Sequence, residues 1–114
     1  QVELAINQEM EMLTAPWMRD FLRYDPAPML SRVQCPVLAV QGNEDLQVPT
    51  AANLPIVEKA LTLHGNKAVT VKEFPGLNHL LQHCQTCLPD EYGEIRETVS
   101  PEVLQFVGEW IMKR

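Results

Sequence analysis

Val37-Leu38-Ala39-Val40 is a continuous apolar run held between Pro36 and Gly42. It constrains the fold more than any other feature of the chain. Four β-prone or small apolar residues with no polar alternation suit a strand buried on both faces, as in a parallel sheet, and proline is tolerated at a strand's first position. Further on, Val69-Thr70-Val71-Lys72-Glu73-Phe74 alternates with period two. That pattern predicts a half-covered strand at a sheet edge, ended by Pro75-Gly76. Between the two runs, Asn53 can cap a helix with Pro55 in its first turn, Leu54, Val57 and Leu61 inward, and Gly65 as the stop. Ser100-Pro101-Glu102 opens a last helix, with Val103, Val107, Trp110 and Ile111 as its buried stripe. From residue 34 to 114 the order is therefore strand, helix, strand, helix. This βαβα unit predicts an α/β fold with two parallel strands flanked by helices.

Residues 1–33 read as helical. Val2, Ile6, Met10 and Leu13 share one face of a first helix, and Thr14-Ala15-Pro16 breaks it. Trp17, Phe21 and Tyr24 follow at helical spacing in a second helix running to Arg23, and Asp25-Pro26 opens a short third one ending near Ser31. Met10, Met12, Trp17 and Met18 could line an acyl pocket, but apolar residues at this spacing are expected to be core. The chain starts at Gln1 and runs straight into helical periodicity, so a preceding segment is expected.

At 114 residues the chain supports one hydrophobic core. Its 46% hydrophobic and 21% charged residues argue against disorder. A net charge of −6 gives no attraction for phosphate backbones, so nucleic acid is excluded as a partner class. No apolar run approaches the roughly 20 residues a membrane helix needs, so no membrane partner is expected either.

In a parallel sheet, chemistry gathers beyond the carboxyl ends of the strands. The loop after the first strand is Gly42-Asn43-Glu44-Asp45-Leu46-Gln47-Val48-Pro49; the loop after the second is Pro75-Gly76-Leu77-Asn78-His79-Leu80. Neighbouring strands lie about 4.8 Å apart, so a carboxylate from one loop can reach an imidazole from the other. A carboxylate bonded to an imidazole fixes its tautomer and steadies the imidazolium formed in acyl transfer. Asp45 and His79 are the candidate pair, and Glu44 is the rival carboxylate, expected to be solvated.

The segment from Val37 to Pro49 resembles the penultimate strand and acid loop of α/β-hydrolases. Gly76-Leu77-Asn78-His79 resembles their histidine loop, and the stretch from Ser100 to Lys113 their closing helix. Asp25-Pro26-Ala27-Pro28 and Pro89-Asp90-Glu91-Tyr92-Gly93 resemble the bacterial dienelactone-hydrolase-like and prolyl-peptidase-like group. The resemblance covers residues 14–114. It implies the C-terminal portion of one α/β-hydrolase domain, with residues 1–33 following a lid. It further implies a serine hydrolase cleaving an ester, thioester or peptide-type bond of a small-molecule acyl substrate. Asp45 is then the orienting acid and His79 the general base, with no cofactor and no metal. The family order is nucleophile, acid, histidine, and the nucleophile sits in a G-x-S-x-G elbow. That elbow does not occur here: the two serines are Ser31, near a helix end, and Ser100, expected as a helix cap. Some members of the group use cysteine instead, but Cys35 precedes a strand at the end opposite the chemistry and Cys84 lies five residues after His79, neither in an elbow. The chain alone is therefore expected to be inactive.

Cys35, Cys84 and Cys87 are too few for a disulfide framework. His83-Cys84-Gln85-Thr86-Cys87 could supply three zinc ligands or a redox pair, but a structural zinc needs four ligands and no second pair occurs. The cysteines are expected to be incidental. His64, near the end of a helix, is explained by the negative helix terminus. The alternative to a hydrolase part is a non-catalytic interaction or metal-binding module on the same scaffold. Removing the earlier strands of a hydrolase sheet bares an apolar edge, which predicts a homo-oligomer.

Overall fold

The computed structural model describes residues 2–114 and has helices around a two-stranded parallel sheet. In chain order the elements are α1 (Val2–Thr14), α2 (Pro16–Arg23), α3 (Ala27–Leu30), β1 (Val37–Gly42), α4 (Thr50–Thr62), β2 (Val69–Phe74) and α5 (Pro101–Met112). A single 3-10 turn, Pro89–Glu91, interrupts the loop before α5. The strands pair in register from Val37 opposite Val69 to Gly42 opposite Phe74. Because the register is parallel and unbroken, both carboxyl ends fall on the same side.

Side chains alternate across a strand, so Thr70, Lys72 and Phe74 share one face of β2. That face meets α5. Phe74 and Phe106 stack edge to face with centroids 5.7 Å apart, and the Trp110 indole N–H donates to Thr70 Oγ1 at 3.0 Å. Phe74, Leu77 and Val103 form the buried centre, with Val40, Leu81, Val99, Phe106 and Val107 packed against it. The stripe of α5 is thus rotated slightly from the expectation. Phe106 faces inward and Ile111 is 57% exposed, because the inward stripe runs through Val103, Phe106, Val107 and Trp110 and turns Ile111 away from the sheet.

Helix α4 packs on both strands and buries Thr50, Leu54, Ala60 and Leu61, with Val57 half-buried. It begins three residues ahead of the expected cap at Asn53, with Pro49 preceding it and no side-chain cap. The Thr50 hydroxyl instead donates to the Gly42 carbonyl, which ties the helix start to the end of β1. Asn53 is left inside the first turns, and its amide is used elsewhere. His64 lies in the turn beyond α4.

Two expectations about burial are corrected. Val37 to Val40 are only half-buried, because β1 has a strand neighbour on one side alone. The apolar side chains of α1 and α2 are not core: Ile6, Met10, Trp17 and Phe21 are all more than half exposed. Helix α1 packs chiefly on α2, so its apolar face has nothing over it among the described residues. No described helix is long and apolar enough to cross a membrane.

Candidate active site

The loops leaving β1 and β2 are bound into one unit by backbone contacts. Asn43 N–H donates to the Phe74 carbonyl at 2.9 Å and Glu44 N–H to the Leu77 carbonyl at 3.0 Å. In return, Gly76 N–H donates to Asn43 Oδ1 at 2.7 Å. This approach needs a glycine at position 42: a Cβ there would lie 2.1 Å from the Leu77 carbonyl oxygen. Gly76 has φ +74°, the left-handed conformation that glycine adopts without strain, and it starts the return of the second loop.

Within that unit Asp45 and His79 meet. His79 Nδ1 lies 2.9 Å from Asp45 Oδ2, although 34 residues separate them in the chain. The Asp45 side chain is almost fully buried, whereas 37% of the His79 side chain is exposed. Asp45 Oδ1 accepts the backbone N–H groups of Gln47 at 3.0 Å and Val48 at 2.8 Å. Oδ2 also accepts from Gln41 Nε2 at 3.1 Å. Burial pushes the Asp45 carboxyl up, but the hydrogen bonds from Val48, His79 and Gln41 outdo it and hold the group below its ordinary value. An ionised Asp45 takes a proton donor at Nδ1, which leaves the Nε2 lone pair of a neutral His79 as the basic end. Nε2 makes no hydrogen bond among the described residues. Glu44 is exposed and takes no part in the contact.

The histidine loop is held by Asn78, which is fully buried. Its Oδ1 accepts Leu80 N–H at 2.9 Å and Gln82 N–H at 3.0 Å, while Nδ2 donates to Gln82 Oε1 at 3.0 Å. Gln82 Nε2 donates onward to the Glu97 carbonyl at 2.8 Å, and Ser100 N–H to the Leu81 carbonyl at 2.8 Å, which moors the loop to the start of α5. Beside the pair is a cavity of about 270 Å³ lined by Val40, Gln41, Val48, Asn53 and Leu81 with Asp45 and His79. Sequence reasoning anticipated the contact of Asp45 with His79 but not the bonds that Gln41, Asn53 and Asn78 make around it. The Gln41 position, last but one in a strand whose earlier residues are apolar, is the signal that could have found the first.

Neither serine is placed as a nucleophile. Ser31 is buried and donates to the Pro28 carbonyl at 3.0 Å; Ser100 is fully buried, and its Oγ has no partner among the described residues. Ser100 does precede α5, but its side chain does not cap the helix. Two of the three cysteines are not incidental. Cys84 and Cys87 form a disulfide, and Cys35 is free and exposed. The turn around the bridge closes on the Glu91 carboxylate, which accepts from Gln85, Thr86 and Cys87 N–H groups at 2.8–3.0 Å. Those donors hold Glu91 below its ordinary value despite an opposing push from burial. His83 turns to Glu97, with Nδ1 3.0 Å from Oε2. No cluster of three metal-ligating side chains occurs among the described residues.

Comparison with known proteins returned no matching family model, no matching curated protein and no matching solved structure.

Proposed function

We propose that this chain supplies the acid and the base of an α/β-hydrolase triad, and forms the C-terminal portion of such a domain. The parent activity is serine hydrolysis of an ester, thioester or peptide-type bond. Asp45 orients His79, and His79 Nε2 takes the proton of a nucleophile contributed from outside residues 1–114. The observation that carries the reading is the 2.9 Å contact between a buried carboxylate and a half-open imidazole beyond the carboxyl ends of adjacent parallel strands. The resemblance of the two loops to α/β-hydrolase acid and histidine loops supports it. So does the placement of the side chains that could attack: both serines are buried, and the free thiol of Cys35 precedes β1, at the end opposite the Asp45–His79 pair.

The chemistry follows from the atoms. A serine hydroxyl near Nε2 loses its proton to the imidazole as it attacks an acyl carbon. The imidazolium then returns that proton to the leaving group, while Asp45 balances its charge. The acyl group left on the serine is released when water, giving its proton to the same Nε2, attacks it and the serine oxygen takes that proton back. The oxyanion formed in between requires donors from the nucleophile's elbow, which this segment does not provide.

The test is labelling by a fluorophosphonate probe. The protein translated from the complete gene should be modified at one serine outside residues 1–114, and modification should depend on His79. The 114-residue chain should remain unlabelled. Stoichiometric labelling of Ser31 or Ser100 overturns the assignment.

A further inference from the structure

We infer that Gln41 is a positioning residue for the Asp45–His79 pair and that Asn53 in turn fixes the Gln41 amide. The inference deepens the proposed function, but its first test does not depend on it.

An ionised carboxylate has about four acceptor sites. At Asp45 two are taken by the loop's own backbone, through Gln47 and Val48, and one by His79. The fourth is taken by Gln41 Nε2, on the same oxygen that faces the imidazole. Gln41 is 8% exposed, so its amide depends chiefly on protein partners. Its Nε2 group also donates to the Val48 carbonyl, and its Oε1 accepts from Asn53 Nδ2 at 3.2 Å. The amide is therefore held at both ends. Its nitrogen points at Asp45 because the oxygen end is occupied by a donor from α4.

Two donors on Oδ2 fix the tilt of the carboxylate, and the tilt fixes the plane in which His79 Nδ1 must lie. A glutamine that merely fills space at a strand end needs no such aim. Three contacts converge from β1, α4 and the acid loop, so the orientation of the base is set by elements flanking the site on two sides. Without Gln41 the carboxylate keeps its backbone donors but can turn about its own axis.

The first test uses the 114-residue chain labelled with ¹⁵N and ¹³C. In the wild type, neutral His79 should be a single tautomer with its proton on Nδ1. Gln41→Leu keeps most of the volume and removes the donor. It should give a mixture of His79 tautomers and move the Asp45 carboxyl titration to higher pH. Asn53→Ala lies on a half-buried helix position and should shift both readouts the same way by less. It also serves if Gln41→Leu does not fold. Unchanged tautomer and unchanged Asp45 titration in a folded variant overturn the inference. The second test is steady-state kinetics in the protein from the complete gene. There, Gln41→Leu should lower kcat about 10- to 100-fold with KM unchanged, the worth of one hydrogen bond to a charged group. If the spectra shift as expected but the complete protein hydrolyses no acyl substrate, the positioning role stands and the hydrolase reading fails.

Discussion

Replacing Gly42 by alanine should separate the two loops on which the site depends. Gly42 is not among the residues with positive φ, so the constraint is contact and not backbone conformation. An added Cβ would lie 2.1 Å from the Leu77 carbonyl oxygen, 2.6 Å from its carbon and 2.8 Å from the Asn78 carbonyl oxygen. Ordinary contact begins near 3.4 Å, so the loops must part by about 1.3 Å. All three obstacles are backbone atoms, and no side chain can swing aside. Such overpacking costs about 1–3 kcal/mol. Stretching the 3.0 Å bond from Glu44 N–H to Leu77 adds about 1 kcal/mol. Against this, alanine gains about 0.4–1 kcal/mol by stiffening the unfolded chain. The net loss is about 1–3.6 kcal/mol. Carried through to the side chains, the same movement takes the 2.9 Å Asp45–His79 contact beyond hydrogen-bond range. Urea unfolding followed by circular dichroism measures the effect, as a lower midpoint at unchanged slope. Gly108→Ala is the control. It sits in α5 with nothing within 4 Å of an added Cβ, and should stabilise by about 0.8–1 kcal/mol. A Gly42→Ala midpoint equal to or above wild type would refute the reasoning.

Acid should weaken the fold through Asp45. Its folded value is depressed, so its contribution is complete above the unfolded value of about 3.9 and is lost as pH falls through the folded one. Urea midpoints across that range should fall less steeply for Asp45→Asn than for wild type; parallel curves contradict the depression. Replacing Cys84 and Cys87 by serine should cost about 2 kcal/mol or less, since the bridge closes a loop of only four residues. Calorimetry that shows a larger loss means the bridge holds more than its own turn. We also propose that the chain self-associates through the edge of β1 that faces away from β2, whose backbone groups have no strand partner among the described residues. Sedimentation at micromolar concentration should show a dimer or larger, and a folded monomer counts against it.

Sequence reasoning worked where the signal was local. The two strands announce themselves by an apolar run and by alternation, and Ser100-Pro101 marks the start of α5 within one residue. The meeting of Asp45 and His79 followed from loops at the same ends of parallel neighbours. What was missed is non-local. Gln41, Asn53 and Asn78 look like ordinary polar residues until three elements converge on them, and Thr50 starts α4 by bonding back to Gly42. Helical periodicity in α1 and α2 reports an apolar face without saying what covers it. Likewise, Cys-x-x-Cys spacing does not distinguish a disulfide from two free thiols.

The central claim is that Asp45 and His79 act as the acid and base of a triad. Its most direct test is kcat for four forms of the protein from the complete gene: wild type, His79→Ala, Asp45→Asn and Glu44→Gln. Circular dichroism should confirm that each one folds. Removing the base of a triad costs about 10⁶ in turnover, and an acid-to-amide change about 10⁴. His79→Ala should therefore be the most damaged and Asp45→Asn severely but less so. Glu44→Gln should be close to wild type, because Glu44 is exposed and outside the contact. If His79→Ala retains wild-type turnover, or Glu44→Gln is crippled while Asp45→Asn is not, the account is wrong.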